Sequence, residues 1–238
     1  MLELVTSSSL SGPSLERTLT LYVDGYFVNQ WDASCIVALE EKHLAYSTAR
    51  ALLRDGAGVT PALTGRTSIA RVPALQHGDV WLTESSAIIE YLDETFPPPA
   101  HPALLPADRH ARAKARQWMA FVRSDLWALR TERSWWMCVY PVTQPLRPLS
   151  RDAERDAREL VALVERLAAA GDLDPAHWHM GHADLALTLI RLARTDHPLP
   201  DRAKLFLDAA LARPSLRAYI DHRARHFARR TRTPPGDR

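Results

Sequence analysis

The chain has 238 residues, 46% hydrophobic and 24% charged, with 9 Gly and 17 Pro. That is ordinary globular composition and excludes a disordered or collagen-like chain. The formal net charge of +2 divides unevenly: residues 1–98 carry 6 Lys/Arg against 12 Asp/Glu (net −6), and residues 99–238 carry 24 against 16 (net +8), a shift that suggests two domains. Two distant cysteines, Cys35 and Cys138, exclude a disulfide scaffold and a zinc site built on Cys pairs, and favour a reducing compartment. No apolar run approaches the ~18 residues of a membrane span. Met1 to Arg17 lacks the basic head and apolar stretch of a secretory signal, so a cytoplasmic protein is expected, with no membrane partner.

In chain order, residues 1–16 read as a Ser-rich loose tail. Thr18 to Val23 reads as a strand, Trp31 to His43 as a helix and Leu44 to Leu53 as a second strand. Pro61 to Ser68 is a short helix or loop. Val72 to Gln76 and Asp79 to Leu82 flank His77-Gly78 as a hairpin, and Ser85 to Thr95 is a helix. The order β-α-β-α-β-β-α over residues 17–96 is a small α/β unit whose sheet cannot be purely parallel. Residues 97–106 form a Pro-rich linker, because Pro lacks an N–H and breaks helices and central strands. Residues 107–228 then read as an all-α domain, with helices at Ala107 to Glu132, Arg151 to Ala170, His182 to Arg194, Asp201 to Ala212 and Pro214 to Phe227. The Arg-rich end, 229–238, lacks interleaved aromatics and reads as a solvated tail rather than a nucleic-acid arm.

Chemistry concentrates in Arg71-Val72-Pro73-Ala74-Leu75 and Leu82-Thr83-Glu84-Ser85-Ser86-Ala87-Ile88. Glu84-Ser85 falls where a strand ends and a helix begins. Helix starts leave N–H groups unsatisfied and bind anions; alternatively Ser85 is an N-cap and Glu84 is merely exposed. Val-Pro followed about ten residues later by Glu-Ser-x-Ala-Ile resembles the thioredoxin-like N-terminal domain of the glutathione transferase superfamily. The Pro-rich linker and helical second half are similar too, so the resemblance covers about residues 18–228. Arg123-Ser124-Asp125-Leu126, then Arg130 and Arg133, resemble a bacterial branch of it. The resemblance implies a cis Val72-Pro73 bond that turns the Val72 N–H and C=O outward, so that glutathione pairs with them like an added strand. It further implies that Glu84 and Ser85 take the ammonium and carboxylate of the γ-glutamyl end. Arg71 is either a contact for the glycyl carboxylate or a surface residue.

Counting back from Leu39-Glu40-Glu41-Lys42, the family's thiol-activating position falls on Asn29, followed by Gln30 instead of the common Ser-Pro. Asn offers an NH₂ donor to a thiolate but is neither base nor nucleophile. Tyr26 and Ser34 are reserve donors, and Cys35 is expected to pack against the sheet. In the helical half, Gly181-x-x-Asp184 is the candidate cap of the buried helix, with His177, His179 and His182 as capping or surface residues and no metal site. Arg123, Trp127 and Arg130 fall at i, i+4 and i+7 on one helix face. With Tyr26 they form the expected second-substrate pocket, suited to a flat or anionic compound; Trp127 could instead be inter-domain core.

The expectation is therefore a glutathione transferase acting on a small electrophile as a two-fold homodimer. The rivals are a glutathione-dependent peroxidase or disulfide reductase, and a non-catalytic binding module that retains the fold.

Overall fold

The computed structural model describes residues 4–5, 19–51, 63–140 and 145–220. Alternation of Leu19, Leu21 and Val23 with less buried residues makes β2 (Leu19–Asp24) a strand with one face in the core. It runs parallel to β3 (Ser47–Ala51) and antiparallel to β4 (Ala74–His77), with Leu21 opposite both Thr48 and Leu75. β4 turns through Gly78 (φ +57°) into β5 (Val80–Thr83). A two-residue strand β1 (Leu4–Val5) pairs antiparallel with β3, giving the order β1-β3-β2-β4-β5. This corrects the reading of residues 1–16 as wholly a loose tail. Residues 63–73 contain no α-helix, so the described part of Pro61 to Ser68 takes the loop alternative. Residues 52–62 lie outside the described residues.

Helix α1 (Gln30–Glu41) is buried from Asp32 to Leu39 without a break. A helix apolar around its circumference must be covered on all sides. Here α2 (Ser85–Thr95) and the sheet cover part, and α7 (Met180–Ala193) of the second domain covers the rest. Lys42, fully buried, donates from Nζ to Asp93 (3.1 Å) and the Phe96 carbonyl (2.7 Å). Asp93 also accepts from Leu104 N (2.7 Å) and Arg112 (2.9 Å). The linker is thus fastened to the end of α2, and its Leu104 and Leu105 belong to the core.

The second domain contains α3 (Arg109–Ser124), α4 (Trp127–Glu132), α5 (Trp135–Val139), α6 (Arg151–Ala170), a 3₁₀ turn (Pro175–His177), α7 (Met180–Ala193) and α8 (Asp201–Ala212). Residues 214–220 are helical; the rest of the expected helix to Phe227 and the tail 229–238 lie outside the described residues. The single helix expected over Ala107 to Glu132 is broken. Asp125 leaves the helical conformation and Leu126 is left-handed (φ +58°), its side chain buried. Nearly all of α7 is buried against α3, α8 and α1. Its N-cap is His179, not Gly181. His179 Nδ1 accepts from Gly181 N (3.1 Å), and His182 Nδ1 accepts from His179 N (3.1 Å). The rings thereby take the places usually held by Ser/Thr and Glu in a capping box.

Candidate functional site

The loop that ends β2 sets the start of α1. Asp24 Oδ2 accepts from Tyr26 N (3.0 Å) and Val28 N (3.1 Å), and Asp24 N donates to buried Asp32 (2.6 Å). Burial and the nearby Asp24 charge push the Asp32 carboxyl well above the usual range. This loop delivers Asn29 as the N-cap of α1: its Oδ1 accepts from Trp31 N (3.0 Å), as a capping Asn does. Its Nδ2 donates to the Val72 carbonyl (3.1 Å). The Val72-Pro73 bond is cis. One lone pair of the Val72 carbonyl is therefore engaged within the protein, which modifies the expected outward presentation: a peptide would meet the second lone pair and the N–H. Pro73 is buried, and Arg71 is exposed just before it.

The start of α2 lies across from this strand end. Glu84 occupies the N-cap position with φ +67° and ψ 115°, and its exposed side chain caps nothing. Such a conformation costs a non-Gly residue about 1–3 kcal/mol and is held by the strand-to-helix turn around it. Ser85 is the first helical residue rather than the cap, 5% exposed. Its Oγ accepts from Arg123 Nε (3.3 Å) and Nη2 (3.2 Å). A hydroxyl polarised by a guanidinium at a helix N-terminus is a place prepared for a carboxylate.

Arg123 is the junction of the two domains. Besides Ser85 it pairs with Asp184 on α7 and donates to the Met119 carbonyl (2.9 Å). Asp184, fully buried, also accepts from Ser34 Oγ on α1 (2.6 Å). Ser34 and Asp184 are thus bound to each other, leaving Ser34 unsuited as a thiol donor and Asp184 as a cap. The Arg123 guanidinium lies 4.7 Å from the Trp31 ring centre, and that of Arg130 lies 5.3 Å from the same ring. The break at Asp125–Leu126 undoes the shared helix face expected for Arg123, Trp127 and Arg130. Arg123 instead faces Ser85, while Trp127 is 73% exposed and not core. Tyr26 is 39% exposed, and its carbonyl accepts from Tyr140 Oη (3.1 Å). Cys35 is fully buried, its thiol pushed up by burial and by Asp32. Burial likewise pushes Cys138 to about 11. Among the described residues no three His, Cys, Asp or Glu side chains gather as a metal site, and no helix is long and apolar enough to cross a membrane.

Sequence reasoning missed Arg191. It is buried on α7 and donates to Gln30 Oε1 (2.6 and 3.1 Å) and the Arg133 carbonyl (2.6 Å), while Gln30 Nε2 donates to Thr188 Oγ1 (2.7 Å). Burial lowers the Arg191 pKa to about 10. The clamp fixes the residue directly after Asn29. Its visible signal was one cation inside the apolar run from Leu185 to Ala193.

Comparison with known proteins bears on the family and the fold. Residues 18–94 match the family model "Glutathione S-transferase, N-terminal domain", and residues 108–225 match "Glutathione S-transferase, C-terminal domain". The structure of a glutathione transferase homolog from Burkholderia gl BGR1, with bound glutathione, is 31% identical. It aligns over 87% of this chain and 98% of its own, with a TM-score of 0.69. Glutathione S-transferase Z1 of Arabidopsis thaliana is 36% identical over 115 residues, 47% of this chain and 48% of its own; the chain spans about half the length of such curated plant relatives. A theta class glutathione S-transferase from Xanthomonas axonopodis pv. citri, 22% identical over 85% of this chain and 97% of its own (TM-score 0.61), shares the fold. With both halves matched by the family's models, the chain belongs to the glutathione transferase superfamily.

Proposed function

We propose that the protein binds glutathione along Val72-Pro73 and the start of α2, and delivers its sulfur as a thiolate to a small electrophile between the domains. The observation that carries this reading is the bond from Asn29 Nδ2 to the Val72 carbonyl (3.1 Å), which joins the start of α1 to the strand end that would hold the peptide. In this reading the γ-glutamyl carboxylate lies on Ser85 and the first N–H groups of α2. Glu84 takes the ammonium group, and Arg71 takes the glycyl carboxylate. The second N–H of Asn29 Nδ2 donates to the sulfur.

The magnitudes suffice. Lowering a thiol pKa from ~8.5 by two units requires ~2.7 kcal/mol in favour of the anion. A hydrogen bond to a charged group supplies ~1.5–3 kcal/mol, and a helix N-terminus adds up to ~1. Because both cysteines are buried with raised pKa values, sulfur chemistry here belongs to glutathione and not to an enzyme thiol. That disfavours a glutathionyl-enzyme route for the peroxidase or disulfide-reductase alternative. One observation favours a non-catalytic binding module: both polar ends of Asn29 already have partners. A two-fold homodimer belongs to the proposal as well, and light scattering at the mass of two chains would support it.

Calorimetry with glutathione tests the binding half. Millimolar or tighter binding, weakened about tenfold in Ser85→Ala by loss of one charge-assisted bond, supports the assignment. No binding to the wild type at about 10 mM contradicts it.

A further inference from the structure

Two guanidiniums flank Trp31, and they differ in how their charge is answered. Arg123 is paired with Asp184 and bonded to Ser85 and the Met119 carbonyl. Arg130 is bonded through Nη1 to the Arg123 carbonyl alone. Its remaining contacts are the two indoles, with the guanidinium carbon 5.3 Å from the Trp31 ring centre and 5.9 Å from that of Trp127. Among the described residues no carboxylate pairs with it. A guanidinium carries five N–H donors in a planar fork, so most of this fork is unspent. The charge is also half-buried, and burial together with the Arg123 charge lowers its pKa. A half-buried cation without a counter-ion is unfavourable, and an arriving anion relieves that cost. Beside it, Trp127 presents a broad ring to solvent, 73% exposed.

Successive contacts link Ser85, Arg123, Trp31, Arg130 and Trp127. Glutathione is assigned to the Ser85 end, which leaves the Arg130–Trp127 end for the second substrate. We propose that the electrophile is an anionic aromatic compound, its carboxylate held by the Arg130 fork and its ring lying against Trp127. This rests on the glutathione reading above and adds to it the chemical class of the second substrate. Planar bidentate recognition suits a carboxylate, which Arg matches better than Lys.

A chlorodinitrobenzoate and the corresponding chlorodinitrobenzamide, alike in shape and different in charge, are the probes. In either, the glutathione sulfur attacks the carbon bearing chlorine and the C–S bond forms as the C–Cl bond breaks. Chloride leaves with the electron pair, and the thiol proton passes to water. The wild type should prefer the benzoate over the amide by about tenfold or more in kcat/KM, expressed mainly in KM and falling with added salt. Arg130→Gln should bring that ratio near one, and Arg130→Lys should keep part of it. Binding of the unreactive dinitrobenzoate and dinitrobenzamide, followed by calorimetry, must show the same preference whether or not turnover occurs. Equal handling of both probes by the wild type would overturn the proposal without reference to any variant. So would a ratio left intact by Arg130→Gln. Loss of glutathione binding with the Arg130-dependent benzoate preference intact would instead sink the glutathione reading and leave the anion site standing.

Discussion

At the start of α1 the Asn29 amide serves two partners at once, the Trp31 N–H through Oδ1 and the Val72 carbonyl through Nδ2. Removing it therefore has a structural and a chemical consequence, which two substitutions separate. Asn29→Ala should lower stability by ~1 kcal/mol through loss of the cap and abolish thiolate formation by bound glutathione. Asn29→Ser keeps a cap and a donor, and should recover most of both; urea midpoints and ultraviolet thiolate absorbance read the two effects. His179 gives a second residue-level prediction. Burial holds its pKa at about 3, and burial lowers His182 as well. A His whose folded pKa lies below its unfolded value of ~6.5 contributes stability that is complete above pH ~6.5 and is lost as pH falls toward 3. The melting temperature should thus fall from pH 6.5 to 5. His179→Asn, which can cap without titrating, should flatten that slope; an unchanged slope would show that other groups govern it.

The elements show what local pattern conveys and where it stops. Glu84-Ser85 placed the end of β5 and the start of α2 correctly, because a turn from strand to helix is written in neighbouring residues, whereas Val72-Pro73 lies just before β4 and not within it. The break in α3 at Asp125–Leu126 was not legible. Ser124-Asp125 are weak helix formers, but they do not by themselves signal a left-handed Leu126, whose side chain is buried. The cap of α7 lies two residues before the expected Gly181, at His179, whose ring and that of His182 pack against Trp118 of α3. Gly181 follows from the same crossing. A Cβ there would meet His179 Cε1 at 2.9 Å and the Ala115 carbonyl at 3.2 Å. Gly181→Ala improves helix propensity by up to ~1 kcal/mol, yet the overlap with α3 should cost more, about 1–3 kcal/mol. A lowered melting temperature is expected, and a raised one would mean that the α3–α7 crossing yields.

Across the whole molecule, the acidic first half and basic second half announced two domains, but not the polar junction between them. Gln30 and Arg191 are 161 positions apart, a separation that no local window spans. Arg191→Met would leave Gln30 Oε1 and the Arg133 carbonyl without their buried donor. It should cost on the order of 3 kcal/mol, read as a lower urea midpoint and faster amide exchange at the start of α1. An unchanged midpoint would mean that water replaces those bonds. The clamp matters because the proposed thiolate sits at that helix start, which Gln30 and Arg191 hold from both domains. The most direct test is a pH titration of the ultraviolet thiolate absorbance of bound glutathione. A thiol pKa about two units below the free value of ~8.5 is expected, restored to it in Asn29→Ala. Binding with an unshifted thiol pKa would contradict the catalytic assignment of Asn29 and leave a glutathione-binding module.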